Sequence, residues 1–368
     1  MRLAPFASRY AGNAMVCAID HLAAEAGVAT LRKGGSAADA AVAASAVLAV
    51  TNQHMCGMGG DLFALVHQDG LAPVALNSSG RAGSGADSAR LRQEGHTFMP
   101  PTGDIRSVPV PGCWAHLTIE AACQAAYDRT EVLHEHADGA WLVSPGRLAP
   151  RRAAISPDQA AQLPGSYGMG DTIFLCAVDR DRTGVSLIQS NAGGFGSEMA
   201  EPSTGIFLQN RGVGFSLEAG HPAEYGPGRR PPHTLSPALV TSADERLQAV
   251  IGTMGGDSQP QILLQLLCRI LCSAESVGDA IAAPRWVLSN SRYPAGFRTW
   301  VAGREIQVEL EPNAHADWLP GLEARGHSVV RHDDFGFAAG HAHVIACRDG
   351  YLEGASDPRS LEGAAAGY

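Results

Sequence analysis

The chain has 368 residues, 45% of them hydrophobic and only 17% charged, with a formal net charge of −10. That length suits two compact domains or one large one, with core enough to need no staples. The charge balance argues against a nucleic-acid partner, since no basic stripe appears, and the longest apolar run, 37–50, is too short to span a bilayer.

The first twenty residues hold no clean hydrophobic run, so no signal peptide is expected. Residues 22–33 have a helical pattern that Gly34-Gly35 stops. Ser36 then caps a second helix, with Asp39 placed as in a capping box. This helix is apolar on every face and is expected to be fully buried. LFALVHQ and APVALNS read as strands joined by Asp69-Gly70. Residues 80–110 read as loop with one short helix, and 112–165 carry a helical piece near 114–127, a His/Asp/Glu cluster and a polar loop. The arginines within 147–152 suggest a solvated loop.

From Gly170 the texture turns to strands: TIFLCAVDRD and GVSLIQS around Arg182-Thr183, then GIFLQNR, then PALVTSADERLQAVIGT as strand–turn–strand. A Gly/Pro-rich loop (219–233) lies between the last two. An amphipathic helix follows Ser258, then a helix at 315–325 and strands at 328–331 and 342–348. Helices early and antiparallel hairpins late imply layered α+β architecture. Eight scattered cysteines without C-x-x-C read as reduced, buried thiols, which fits a cytoplasmic protein.

Four places can carry chemistry. Thr172 opens a strand after Gly170-Asp171, where a threonine is ordinarily just a good β residue. Its hydroxyl becomes a nucleophile once cleavage before Thr172 frees an α-amine to serve as base. Gly255-Gly256, between a strand and a helix, let backbone N–H groups approach a substrate, although a tight turn demands the same glycines. Arg81, in NSSGR, fits a substrate carboxylate or a surface ion pair. RPPHTLSP presents His233, Thr234 and Ser236 on a stiff loop that serves structure equally well. His134, Glu135, His136 and Asp138 have zinc-compatible types but lack helical spacing and a partner motif, so no metal is expected. The MGGD at 58–61 lacks the Gly-Lys-Ser/Thr of a P-loop.

Taken in order, HLAAEAGVATLRKGGSAADAAVAASAVLAV, HMCGMGGDLFALV, NSSGRAG, SVPVPG, GDTIFLCAVDRD, GVSLIQS, FGSEM, GIFLQNRGVGFS, RRPPHTLSP, GTMGGDSQPQILLQ, APRW and DPRSLEGAAAGY resemble the γ-glutamyltransferase (γ-glutamyltranspeptidase) family. The wording is nearest its signal-less, amidohydrolase-like branch, with oxamate amidohydrolase-like and cephalosporin-acylase-like members. The resemblance implies an N-terminal-nucleophile hydrolase fold, a four-layer αββα sandwich made as a zymogen. Cleavage before Thr172 would leave fragments 1–171 and 172–368, together one structural domain. It also implies Thr172 as nucleophile, Gly255 and Gly256 as the oxyanion hole, and Arg81 as holder of the substrate carboxylate. Ser190 falls where a second Thr hydrogen-bonds the nucleophile, and His233-Thr234 where the family has Ser-Ser.

Ile173, Ala192 and Gly214 replace a usual Thr, Asn and Asp. Without that Asp the glutamyl amine lacks a counter-charge, which favours a carboxylate-bearing acyl group over strictly γ-glutamyl compounds. Between SVPVPGCWAHL and AAYDRTEVL, relatives carry a long helical stretch, and its loss should expose apolar surface or call for a partner. The expectation is a Thr-nucleophile amidohydrolase or acyltransferase, acting on a γ-glutamyl compound such as glutathione or on a related small amide. Water or an amine is the acceptor, no cofactor is needed, and the two fragments are each other's partners, with a homo-oligomer compatible. The opposing reading is a degenerate, uncleaved homologue that acts as a folded or binding protein. Joint survival of Thr172, the glycine pair and Arg81 favours the enzyme.

Overall fold

The computed structural model describes residues 8–82, 88–93, 112–163, 171–289, 306–333, 335 and 339–368. The loop at 164–166, Gly170 and most of SVPVPG lie outside them. The chain starts with β1 (Arg9–Ala11) and β2 (Met15–Ala18), then α1 (His21–Arg32) and α2 (Ala37–Thr51), then the hairpin β3 (Asp61–His67) and β4 (Val74–Ser78). Helices α3 (Ser88–Gln93), α4 (Gly112–Ala126), α5 (Arg129–Val132), α6 (Gly139–Leu142) and α7 (Pro145–Ala153) follow. Two hairpins come next, β5 (Asp171–Val178) with β6 (Gly184–Ala192) and β7 (Ala238–Thr241) with β8 (Leu247–Thr253). After α8 (Gln259–Leu267) and α9 (Val277–Ala282) come β9 (Trp286–Ser289), β10 (Gln307–Leu310), α10 (Trp318–Glu323) and β11 (Ser328–Arg331). The last strands are β12 (Ala342–Arg348), β13 (Tyr351–Ser356) and β14 (Ala364–Gly367).

Two sheets form the centre, ordered β14-β2-β5-β6-β3-β4 and β1-β13-β12-β8-β7. Strand β5 shows why they stack. Its alternate residues Ile173, Leu175 and Ala177 join the cluster packed under α1 and α2, while Phe174, Cys176 and Val178 face the other sheet. With both faces buried, its sequence reads as continuous apolar residues. The five-stranded sheet repeats the logic, setting Ile251, Val344 and Ala346 against Ile262, Leu266 and Ile281 of α8 and α9. The result is four layers, helix–sheet–sheet–helix, in an α+β chain. The sheets approach closely at the Thr172 end, because a Cβ on Gly252 would fall into the Phe174 ring.

A third sheet, β11-β10-β9, packs with α4 and α10 around Trp286, Ile119, Leu310 and Trp318. A buried ion network joins it to the sandwich. Arg285 lies 2.6 Å from Asp357, and Arg359 pairs with Asp357 at 3.1 Å and with Glu311. That network accounts for the arginines of APRW and DPRS.

The capping box of Ser36 and Asp39 forms as expected, but α2 is not fully buried. One face, Ala40, Ala41, Ala44 and Leu48, packs inward, while Val42 and Val50 are 66% and 69% exposed. Its alanines allow close packing on that one face; uniform apolarity misled the expectation. The 147–152 arginines are helical, and two of them, Arg147 and Arg151, pair with Asp128 at 3.0 and 2.5 Å. GIFLQNR forms only an isolated bridge, Ala200 to Phe207. The described cysteines are free thiols, and Cys272 is exposed rather than buried. No helix among the described residues is long and apolar enough to cross a membrane.

His343, fully buried in β12, has no hydrogen-bond partner on either ring nitrogen among the described residues, and burial holds its pKa down to about 3. The folded chain therefore refuses a proton that the unfolded chain accepts near pH 6.5. Stability should be full above about pH 6.5 and fall progressively toward pH 3. Thermal unfolding across that range measures it, and His343→Gln should flatten the slope; an unchanged slope would contradict this account.

Candidate active site

Thr172 sits where the β5–β6 ladder breaks register. Asp171 pairs with Ala192 but Ile173 with Gln189, so Ser190 and Asn191 together oppose Thr172. A bulge of this kind re-aims side chains. Thr172 is 1% exposed, and its Oγ1 lies 2.9 Å from Ser190 Oγ. Ser190 Oγ in turn accepts from the Ala192 N–H at 2.8 Å and from Arg211 at 3.0 Å. With two N–H donors on that oxygen, the Ser190 hydrogen is left for Thr172 Oγ1. Arg211 is anchored by Asp61, Nε to Oδ2 at 2.5 Å, both residues being buried. Asp61 heads β3 directly opposite Ser190.

Strand β8 runs toward the same end of the sandwich, since Gly252 lies under Phe174, two residues beyond Thr172 on the same face of β5. Beyond its end and Met254 come Gly255 and Gly256, with φ of 128° and 56°. A side chain at either would be strained there. Among the described residues neither N–H of the pair finds an acceptor, and a short 3₁₀ turn (Gly256–Ser258) leads into α8. These two donors and Thr172 are the elements an acyl-transfer site requires.

Next to the glycine turn lies a cavity of about 430 Å³, lined by Asp257, Asn77, Arg129, Glu135, His233 and Thr234 among others. The His233 ring packs on Phe63, tilted by 39° with centroids 4.0 Å apart. Enclosure by protein, and then the Arg211 charge, push its pKa down to about 4, so it is neutral at pH 7. The Thr234 hydroxyl is buried with no partner and lines the same wall. Gly214 backs this loop so closely that a Cβ would run into the Pro232 carbonyl oxygen. An aspartate at 214 does not fit this backbone.

The structure thus brings Thr172 to Ser190, Gly255-Gly256 to the same end, and His233 with Thr234 to the cavity wall. Arg81 stands apart. It is exposed, donates to the Gly228 carbonyl at 2.7 Å and lies 3.5 Å from Glu135. Glu135 also accepts from Arg229 Nε at 2.8 Å and from the Arg230 N–H at 3.2 Å. Residues 134–138 are therefore engaged in ion pairing and helix capping, with Asp138 capping α6. Reasoning from the sequence missed Arg211 and Asp61, although an arginine in an apolar run and an aspartate after Gly-Gly are the available signals. It also missed Arg129, which grips Asp257 of the glycine turn at 2.8 Å.

A four-layer αββα sandwich with a strand-leading threonine at its open end defines an N-terminal-nucleophile hydrolase fold. The chain belongs to the gamma-glutamyltranspeptidase family, which it matches over residues 23–118 and 114–368. The two matched stretches meet within α4. It is 38% identical to the oxamate amidohydrolase proenzyme of Klebsiella pneumoniae over 69% of this chain and 47% of that one. It is 34% identical to the glutathione hydrolase-like YwrD proenzyme of Bacillus subtilis, over 68% and 47%. The chain thus spans about half the length of these curated relatives. The fold matches a cephalosporin acylase from Bacillus halodurans with a TM-score of 0.79 and 23% identity, covering 98% of this chain and 97% of that one.

Arg211→Met should cost about 3–5 kcal/mol, because it leaves the Asp61 carboxylate buried and unpaired. Urea unfolding measures the loss. Arg211→Met with Asp61→Asn should recover much of it, and a double variant no better than the single would show that the pair is not coupled.

Proposed function

We propose that this chain is a self-cleaving threonine-nucleophile amide hydrolase, acting on a small amide whose acyl group carries a carboxylate. The observation that supports it best is the Thr172 hydroxyl, held 2.9 Å from Ser190 Oγ in a buried, charge-anchored series of hydrogen bonds. In maturation, Thr172 Oγ1 attacks the Asp171 carbonyl carbon, the C–N bond breaks, and the nitrogen takes the hydroxyl proton. Water then hydrolyses the ester, leaving an Asp171 carboxyl group and a free Thr172 α-amine. In turnover that amine takes the hydroxyl proton, Oγ1 attacks the substrate carbonyl, and the proton passes to the leaving amine. Water or a second amine releases the acyl group. The Ser190 hydroxyl and the Arg211 charge behind it favour developing negative charge on Oγ1, while the Gly255 and Gly256 N–H groups receive the oxyanion. Each such donor is worth roughly 10²–10³ in kcat.

The substrate reading rests on Gly214, Arg81 and the cavity. No room exists at 214 for the acid that would hold a glutamyl amine. Oxamate, named in one relative, is itself an amide bearing a carboxylate. Glu135 occupies the carboxylate position against Arg81 and Arg229, and a substrate carboxylate would take its place.

Wild-type protein should run as two fragments on a denaturing gel, the smaller beginning Thr172-Ile173-Phe174. Thr172→Ala should stay intact and lose at least about 1,000-fold in kcat/KM. A single intact wild-type band, with Thr172→Ala equal to it in every amidase assay, would overturn the reading in favour of a non-catalytic homologue. Glu135→Gln should lower KM for carboxylate-bearing amides about two- to five-fold, the range of a partly exposed ion pair. A raised KM would instead make Glu135 a substrate contact.

A further inference from the structure

The third sheet and α4 carry a second cluster that shares no residue with the Thr172 site. His116 and Glu120 stand one helical turn apart on α4, hence on one face. His327, 211 residues beyond His116, enters from the turn before β11. His116 Nδ1 lies 2.7 Å from His327 Nε2, and one ligand atom from each of the three residues lies within 4.8 Å of the others.

We propose that His116, Glu120 and His327 bind a divalent cation of the zinc type. Three observations carry this beyond proximity. His116 Nε2 lies 2.8 Å from the Ser156 carbonyl oxygen, which can only accept. That bond places the hydrogen on Nε2 and turns the Nδ1 lone pair toward His327, the support a metal-bound histidine ordinarily has. Glu120 is 1% exposed, and its Oε2 accepts from the Ala161 N–H at 3.1 Å. Its Oε1 is buried with no hydrogen-bond partner among the described residues, a costly state for a carboxylate oxygen unless a cation meets it. Finally, a cavity of about 440 Å³ opens on Glu120 and His327, with Cys123 also on its wall, leaving a fourth position for water or an outside ligand.

Two imidazole nitrogens and one carboxylate oxygen suit zinc rather than calcium or magnesium. Seating the ion at metal–ligand distances of about 2.0–2.2 Å in a tetrahedron asks the two imidazole nitrogens, 2.7 Å apart, to separate to about 3.3 Å and the carboxylate to draw in. The ligands and their supports come from α4, the 156–161 loop and the turn before β11. Two of these precede Thr172 and one follows it, so the ion would tie the two parts of the chain together.

The intact protein, stripped with chelator and reloaded with Zn²⁺ or Co²⁺, tests this. One ion per chain should remain after dialysis, and the Co²⁺ form should show the visible bands of a tetrahedral nitrogen–oxygen set. Glu120→Gln and His327→Gln should each weaken binding by at least ~100-fold, with far-ultraviolet circular dichroism confirming that each folds. Should one misfold, the other decides alone. Binding far below one ion per chain, or binding that both variants retain, would overturn the site. So would loss of binding in a His134→Ala, His136→Ala double variant, since that would move the ion to the surface pair.

Discussion

The Arg211–Asp61 ion pair, buried to 1% and 0% exposure, is the constraint on which the site depends. Two charges removed from water survive only as a well-bonded pair, so each dictates where the other must lie. Asp61 is fixed by its register against Ser190 in the β3–β6 ladder. Arg211 is thereby held where a second nitrogen reaches Ser190 Oγ, which in turn meets Thr172. A hydroxyl on a flexible surface would sample many directions. Here one charge pair orients two hydroxyls in succession, and the bulge in β6 supplies the room.

The region before Thr172 is built of short helices. After α4 the chain runs into the small helices α5, α6 and α7, held by ionic contacts rather than by a broad apolar face. Arg129 bonds Asp257, Glu135 bonds Arg229, and Arg147 and Arg151 share Asp128. Leu133, Trp141 and Val143 are exposed there.

Much of the fold was legible in local signals. The capping box of α2, the Asp69-Gly70 turn and the apolar run of β5 each declare themselves within a few residues, and the order of motifs pointed to the four layers. The short strands β1, β2, β9, β10, β13 and β14 escaped notice, because three to six residues define no period, and β1, β2 and β14 exist through partners far along the chain. The site divides the same way. Thr172, Ser190 and the glycine pair were visible as motif positions. Arg211 and Asp61 lie 150 residues apart, and His116 and His327 lie 211 apart, so nothing local couples them. Arg81 was read as a substrate arginine from its motif alone, and only the folded chain reveals Glu135 beside it.

The strand order of the six-stranded sheet carries a further consequence. Strands β2, β3 and β4 precede Thr172 while β5, β6 and β14 follow it, and the spatial order β14-β2-β5-β6-β3-β4 shuffles the two sets. β2 is gripped on both sides by later strands, and β6 is gripped by β3. A cut before Thr172 would therefore separate the chain chemically without letting either piece diffuse away, since release would mean unzipping ladders on both sides of β2. Dilution, which drives ordinary two-subunit assemblies apart, would have no purchase on this one.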